Sequence, residues 1–589
     1  MIDRYRHLLE RVFGPLEEAA LLTIAEESET IELSAGKFVC RQHELDPTLY
    51  IALSGRFRAI QSIDGIDRIL GDIGPGEPLG ELSLLLDEPR SASVFALRSS
   101  TLLKVTRESY YKIASHNPKL TTVLSQYVIK RIRNNAERSL IRFNPRIIAL
   151  VPLDEDLPDF SALLSPYFSE SNESFDLIDY KLLSDNSIAS IFDRVDESEN
   201  ISFLLCDEHH LEWSRQCILY ADIIVLVANF YSDRQIRPIE NALEVHTKSI
   251  YSKQNYLLLL HPVGSKMPRY TRQWFDNRSV SLHIHLRLNN VRDIHRFCRI
   301  VLHRATGLVL SGGGSKGFAH IGALRALLEA GVEIDFLTGS SAGALYGVGM
   351  VWTDFDIDLM YKMGKLSAER KLTSNDWTIP VLSIMTGKKM LRFIKDVLGD
   401  AYLEDFWVNH FYVSTNFSNA STAIHDKGIA WQQIQAAIAI PGIYPPVVIN
   451  NQIHIDGGVM DNLPIEHMST YPVSHVIALS LVSLKPLTVE FDSTPSPWSY
   501  IWDKIKGKRM YNMPNVVELI SHSLVLNSRK KQILTKEKAN LYFEVKLEEY
   551  GLMNSSNWSV TLDAGYSQVK EQLDRLPIEK KYWKKNTEN

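Results

Sequence analysis

GLVLSGGGSKGFAHIGALRALLEAGVEIDFLTGSSAGALYGVGMVW, residues 307–352, reads as two strand–turn–helix units in succession. GLVL is an apolar strand, followed by a glycine-rich turn and the amphipathic helix FAHIGALRALLEAG. IDFLTG is the next strand, followed by a tight turn and the apolar helix AGALYGVGMVW. Alternation of this kind predicts an α/β layer with a parallel sheet.

Both turns carry chemistry. Gly339-Ser340-Ser341-Ala342-Gly343 matches G-x-S-x-G, a turn that projects its serine above the end of a strand. Small flanking residues permit the tight backbone, and the helix start beneath favours developing negative charge. In Ser311-Gly312-Gly313-Gly314-Ser315-Lys316-Gly317, three bare glycines leave backbone N–H groups open to an anion. An oxyanion hole is one use. A Walker A loop needs lysine after its last glycine, where Phe318 stands. Gly312, Gly314 and Gly317 also satisfy the dinucleotide pattern, with Asp335 roughly twenty residues on. However, Asp335 precedes the strand FLTG, whereas a ribose-binding carboxylate should end it. A third element is Asp456-Gly457-Gly458 in IHIDGGVMDNLP. It is either a plain Asp-Gly turn or a carboxylate that accepts the Ser341 proton. With an ordinary pKa of about 3.9 the carboxylate is a weak base, so that role requires desolvation.

Working outward, residues 145–303 hold six apolar strand candidates: RIIALVPL, FDLIDY, SFLLCDE, DIIVLVANF, NYLLLLHP and VSLHIHLRL. Helical stretches lie between them, which predicts a parallel sheet covered on both faces. Asp207, Glu208, His209 and His210 adjoin one another there and read as a solvated loop rather than a metal site. Residues 1–141 begin with short strands (TLYIAL, RFRAI, SVFAL) between glycine-bearing turns and turn helical from Arg107. Residues 483–589 are expected to be mainly helical.

The net charge of −6 offers no global basic field for nucleic acid. Cys40, Cys206, Cys217 and Cys298 lack metal or disulfide spacing, which suits a reducing compartment. The N-terminus carries charges throughout and has no signal-peptide core. The most apolar run, Ile218 to Phe230, is interrupted by Asp222 and too short to span a bilayer, which needs about 20 residues. A cytoplasmic location with peripheral membrane contact is the expectation. Trp498, Tyr500 and Trp502 precede Lys504, Lys506, Lys508 and Arg509, and Lys580, Lys581, Tyr582, Trp583, Lys584 and Lys585 lie near the C-terminus. Aromatics beside cations suit a headgroup interface, although a solvated helix face and a frayed tail are the plainer reading.

GGGSKG, GSSAG and DGG in this order, with AIAIPGIYPPV at 437–447 and DGGVMDNLP at 456–464, resemble the patatin-like phospholipase family. More narrowly, they resemble the bacterial relatives of neuropathy target esterase. The resemblance covers about residues 306 to 482. It implies a Ser341–Asp456 dyad with no catalytic histidine or metal, an oxyanion hole at Gly312, Gly313 and Gly314, and hydrolysis of phospholipid or lysophospholipid esters through an acyl-serine. Gly317, Gly339, Gly343, Gly457 and Gly458 are the accompanying motif glycines. Lys316 stands where bacterial relatives usually carry arginine. It keeps the charge for a substrate phosphate and loses the fork geometry. His320 and His454 read as structural.

Pro78-Leu79-Gly80-Glu81-Leu82 and Pro89-Arg90-Ser91-Ala92-Ser93-Val94 resemble the phosphate cassette of cyclic-nucleotide-binding domains. The resemblance implies that Arg90 binds a cyclic phosphate and Glu81 the ribose hydroxyl. Backbone around Gly80, Leu82, Ser91 and Ala92 adds contacts, and a helix around Leu120–Ile132 caps the base. Adenine and guanine, hence cAMP and cGMP, stay open as the regulatory ligand.

The expected architecture is multidomain α/β. It comprises a cyclic-nucleotide-binding β-roll with helices (1–141), a Rossmann-like α/β domain (145–303), a patatin-like α/β hydrolase domain (306–482) and the C-terminal region (483–589). Nucleotide binding is expected to regulate access to Ser341. The rival functions are a catalytically silent, nucleotide-responsive scaffold and a nucleotide-dependent oxidoreductase.

Overall fold

The computed structural model describes residues 5–34, 36–63, 66–86, 88–116, 122, 124–126, 145–184, 187–198, 200–247, 253–372, 376–481, 493–505, 523, 526–547 and 557–584. The chain forms two compact units, one made mainly of residues 1–260 and the other mainly of residues 304–589.

The first unit opens with two four-stranded antiparallel sheets. One orders its strands Glu29–Leu33, Ser100–Val105, Leu49–Ser54, Pro78–Leu79; the other Phe38–Cys40, Ser93–Ala96, Phe57–Ile63, Ile66–Ile73. Gly55 turns between strands with φ 86°, and a Cβ there would lie 2.0 Å from Ser100 Oγ. Only glycine fits that corner. Of the helix expected to cap a base, Leu120, Val128 and Ile132 lie outside the described residues, while Leu124 is buried.

A six-stranded sheet follows in the order Phe175–Ile178, Ile201–Leu205, Ile147–Pro152, Ile223–Asn229, Gln254–His261, Leu282–Arg287. All six expected strands form. The pairings among the first five are parallel. Ile147–Val151 and Ile223–Ala228 are buried throughout, as strands covered on both faces must be.

The second unit is built on an eight-stranded sheet. Its strands are β1 (Ala305–Leu310), β2 (Phe336–Ser340), β3 (Asn409–Asn416), β4 (Ser421–His425), β5 (Val447–Ile449), β6 (Gln452–Asp456), β7 (Val473–Ser480) and β8 (Leu541–Glu544). Their order is β5-β6-β3-β2-β1-β7-β8, with β4 also paired to β3. β8, β7, β1, β2 and β3 run parallel, and β6 returns antiparallel. Four helices surround the site: α1 (Phe318–Glu329), α2 (Ala342–Trp352), α3 (Ile357–Glu369) and α4 (Lys388–Leu398).

Among its described residues the C-terminal region is mainly helical, as expected, but it is built into the second unit rather than standing apart from it. It supplies β8 to the sheet. It also supplies α5 (Trp558–Asp574), which crosses α1 backbone against backbone. A Cβ on Gly322 would lie 2.0 Å from the Leu562 carbonyl, and one on Gly565 would lie 2.1 Å from that of Ala319. This covering explains why α1 is buried around most of its girth.

Candidate functional site

Ser341 sits between β2 and α2 with φ 51° and ψ −120°, a strained conformation for serine. The flanking glycines make the turn possible. A Cβ on Gly339 would lie 2.4 Å from the Gly343 carbonyl carbon, and one on Gly343 would lie 2.3 Å from the Leu310 carbonyl oxygen. Ser341 is only 7% exposed.

Sheet register brings Asp456 to the serine. Ser340 pairs with Val413 on β3, and the next residue, Ser414, pairs with Asp456 on β6. Gly457 closes the gap: a Cβ there would lie 2.3 Å from the Val413 carbonyl and 2.7 Å from Ser340 Oγ. Burial pushes the Asp456 carboxyl up to about 6, partly offset by the Ser341 hydroxyl and the Gly458 N–H. Gly458 donates to Asp456 Oδ1 at 2.7 Å. Oδ2 is buried without a hydrogen bond. The Ser341 hydroxyl lies close enough to this carboxyl to lower its pKa. Catalytic contacts commonly tighten around substrate.

The glycine-rich loop faces the same point. A Cβ on Gly312 would lie 2.9 Å from Ser341 Cβ. One expectation is corrected: the Gly312 N–H already donates to the Asn462 carbonyl at 3.2 Å. The N–H groups of Gly313 and Gly314 have no acceptor among the described residues. Gly317 permits Tyr346 to pack on the loop, because a Cβ there would lie 2.3 Å from the ring. Lys316 is half-buried on the short turn Gly314–Gly317. A cavity of about 120 Å³ opens from Gly314 and Ser341 between α2, α3 and α4, lined by Leu345, Met360, Phe393 and Ile440.

Several residues that sequence reasoning did not single out hold this arrangement. Asn462 anchors Gly312. Ser528, on the helix Leu526–Thr535, donates to the Gly458 carbonyl at 2.6 Å. Lys531, one turn on, pairs with buried Asp461.

The histidines beside the motifs are engaged elsewhere. His320 Nε2 meets the Ser311 carbonyl at 2.9 Å, and burial pulls its pKa down to about 4. His454 and His425 share the Ser414 hydroxyl at 2.9 and 2.7 Å. Asp335 is buried against Arg299 at 2.7 Å and accepts from the Thr306 N–H, so it does not face the glycine loop as a ribose ligand would. In the loop at 207–210, His210 Nδ1 lies 2.8 Å from Asp207 and its ring stacks on Tyr180. Among the described residues no cluster of three or more potential ligands could hold a metal.

A second site lies in the β-roll. Arg90 is buried and donates through Nη2 to Asp46 at 2.6 Å and to the Thr48 carbonyl at 2.7 Å. Its Nε and Nη1 are buried without a hydrogen bond. Gly80, at φ 84°, lets the guanidinium approach: a Cβ there would lie 1.8 Å from Nη1. Glu81 is buried at the start of the helix Glu81–Leu86, with Leu82 half-buried beside it; Ala92 is buried and Ser91 exposed. Two buried guanidinium nitrogens without an acceptor fit an anionic ligand.

The family model for patatin-like phospholipase matches residues 308–468. The chain carries a patatin-like phospholipase domain. A Neuropathy Target Esterase family P-loop like domain matches residues 177–308, and a cyclic nucleotide-binding domain matches 30–117. The chain is similar to Lysophospholipase nte1 of Emericella nidulans, 26% identical over 97% of this chain and 43% of that protein. It is also similar to Lysophospholipase NTE1 of Candida albicans, 27% identical over 83% of this chain and 42% of that protein. The chain thus spans less than half the length of these relatives. The patatin-like match includes Gly312, Ser341 and Asp456 and ends at Met468, so Ser528 and Lys531 support the patatin-like domain from beyond its matched stretch.

Proposed function

We propose that the protein is a serine acyl hydrolase that cleaves carboxylic esters of phospholipids or lysophospholipids. The observation that carries this reading is the buried, unpaired Oδ2 of Asp456 beside Ser341 at the head of an apolar cavity. Ser341 Oγ attacks the ester carbonyl carbon as its proton passes to Asp456. The Gly313 and Gly314 N–H groups stabilise the oxyanion. The carbon–oxygen bond to glycerol breaks, and Asp456 returns the proton to the leaving alkoxide. Water then gives a proton to Asp456 and attacks the acyl-serine; the fatty acid leaves and Ser341 recovers its hydrogen. The raised carboxyl makes a better base than an ordinary aspartate while remaining mostly ionised at neutral pH. The apolar cavity receives the acyl chain, and Lys316, two residues from Gly314, is assigned to the substrate phosphate. No metal or organic cofactor enters these steps.

The N-terminal domain, in this reading, binds cAMP or cGMP through Arg90 and Glu81 and regulates hydrolysis. An unchanged rate with saturating cAMP and cGMP would remove the regulatory part.

The decisive measurement is a lipid-panel hydrolysis assay of the native protein against Ser341→Ala, with fluorophosphonate labelling alongside. Release of fatty acid and labelling should both vanish in the variant. Wild-type turnover in Ser341→Ala would end the assignment.

A further inference from the structure

Between α3 and α4 the segment 376–386 folds back on itself. Trp377 pairs with Met385, and the Thr378 N–H donates to the Ile384 carbonyl at 3.0 Å. The root of this hairpin is fixed. Ile384 and Met385 donate to the carbonyls of Gly442 and Ile443 at 2.8 and 2.9 Å, and Met385 is buried with Ile443 and Tyr444. The tip is the opposite. Trp377, Ile379, Val381 and Leu382 are 69%, 80%, 83% and 72% exposed. Single exposed apolar residues are ordinary, but four within one short hairpin form a patch that calls for a partner.

Three observations identify that partner. The hairpin is continuous with the cavity at Ser341: Leu372 before it, Met390 after it, and Ile440 and Tyr444 beside its root all line that cavity. From Trp377 to Thr386 the sequence WTIPVLSIMT has no charged residue, so the tip can enter an apolar phase without burying an ion. Immediately beyond it, Lys388 and Arg392 are exposed four residues apart at the start of α4, on one helix face. An apolar wedge with tryptophan at its edge and cations behind it matches the layering of a lipid surface: acyl region, interface, phosphate.

The other aromatic–basic stretches compete less well. Tyr582 stacks on His475 with ring centroids 3.6 Å apart, and Trp583 donates to the Ala330 carbonyl, so the C-terminal pair is packed against the domain. Trp498 and Trp502 are exposed, but Lys506, Lys508 and Arg509 lie outside the described residues. Among the described residues no helix is long and apolar enough to cross a membrane.

We propose that the hairpin 376–386 inserts its tip into a phospholipid surface and sets the cavity at Ser341 against it, so that a lipid can move from the surface to the nucleophile. This rests on the acyl hydrolase reading of that cavity.

The test uses the full chain and a fourfold variant, Trp377→Ser, Ile379→Ser, Val381→Ser and Leu382→Ser. Two readouts are taken: co-sedimentation with phosphatidylcholine vesicles containing phosphatidylglycerol, and hydrolysis of water-soluble p-nitrophenyl butyrate. The variant should bind vesicles at least about tenfold more weakly, since two or more buried apolar side chains are lost, and hydrolyse the soluble ester at the wild-type rate. Equal vesicle binding by variant and wild type overturns the proposal, as does a wild type that stays in the supernatant. Absence of soluble-ester hydrolysis by the wild type would count against the Ser341 reading instead and leave the vesicle result to be read on its own.

Discussion

Around Ser341 the closest approaches are made mostly by backbone, whereas around Arg90 they centre on one side chain. Gly312, Gly339, Gly343 and Gly457 each stand where a Cβ would lie within 3 Å of a neighbouring atom. The patatin-like site is therefore a set of main-chain turns pressed together, with one hydroxyl and one carboxylate at the junction. In the β-roll a single guanidinium is aimed by Asp46 and Thr48, and two of its nitrogens are left unbonded. The first site carries its strain in the backbone and in a desolvated carboxylate. The second carries it in one incompletely paired cation. The backbone-built site should therefore lose its function all at once, and the side-chain-built site by the value of individual hydrogen bonds.

The largest effect should come from Asp456→Asn. Loss of the general base should lower hydrolysis by about 10⁴-fold or more. The same change should stabilise the protein. The folded carboxyl titrates near 6, above its ordinary 3.8, because burial disfavours the ion. The native state therefore holds the proton more tightly. That contribution is fully present below about pH 4 and is lost as pH rises through about 6. At neutral pH the buried ion costs about 3 kcal/mol. Thermal unfolding should show Asp456→Asn more stable than wild type at pH 8, with the gap closing as pH falls from about 6 toward 4. Wild-type hydrolysis should show an acid limb near pH 6. A less stable Asp456→Asn at pH 8 would mean that the carboxylate is not desolvated.

Arg90→Ala sharpens the other half of the comparison. Two charge-assisted hydrogen bonds to a cyclic phosphate are at stake, so affinity for cAMP or cGMP should fall about 100-fold or more by calorimetry. Hydrolysis of a soluble ester without nucleotide should stay at the wild-type rate. Undiminished nucleotide affinity would show that the orphaned donors do not face the ligand.

The parts of this design that were legible in the sequence share one property: a local physical requirement. Close backbone approach demands glycine, so Gly312, Gly339, Gly343 and Gly457 stood out. Burial on both faces demands continuous apolar runs, so the six strands of the middle sheet stood out. What stayed hidden depends on partners distant in the chain. Nothing near Gly312 signals that its N–H is taken by Asn462. Nothing in LYFE signals a parallel edge strand beside β7. The helix Leu526–Thr535 misleads outright: it buries Ser528, Gln532 and Thr535 and exposes Leu526, Ile533 and Leu534. Hydrophobic periodicity assigns its core face to the wrong side. Its buried hydroxyl and amide are met by partners distant in the chain, the Gly458 carbonyl and Ser480 and Tyr542.

That inverted helix supplies the smallest predicted effect and the finest test of the backbone-built site. Ser528 acts on Asp456 through one residue: its hydroxyl holds the Gly458 carbonyl, and the Gly458 N–H holds Asp456 Oδ1. The Gly458 bond lowers the carboxyl's pKa, so loosening it should raise the acid limb above about 6. Ser528→Ala removes the buried hydrogen bond to the Gly458 carbonyl, worth about 1 kcal/mol, and should lower kcat several-fold with KM little changed. Ser528→Thr keeps the hydroxyl and should bring both kcat and the limb back. A positioning residue must move the pH profile, whereas a merely structural one lowers only the melting temperature. An acid limb that stays in place in Ser528→Ala would leave the glycine turns alone responsible for aiming the carboxylate.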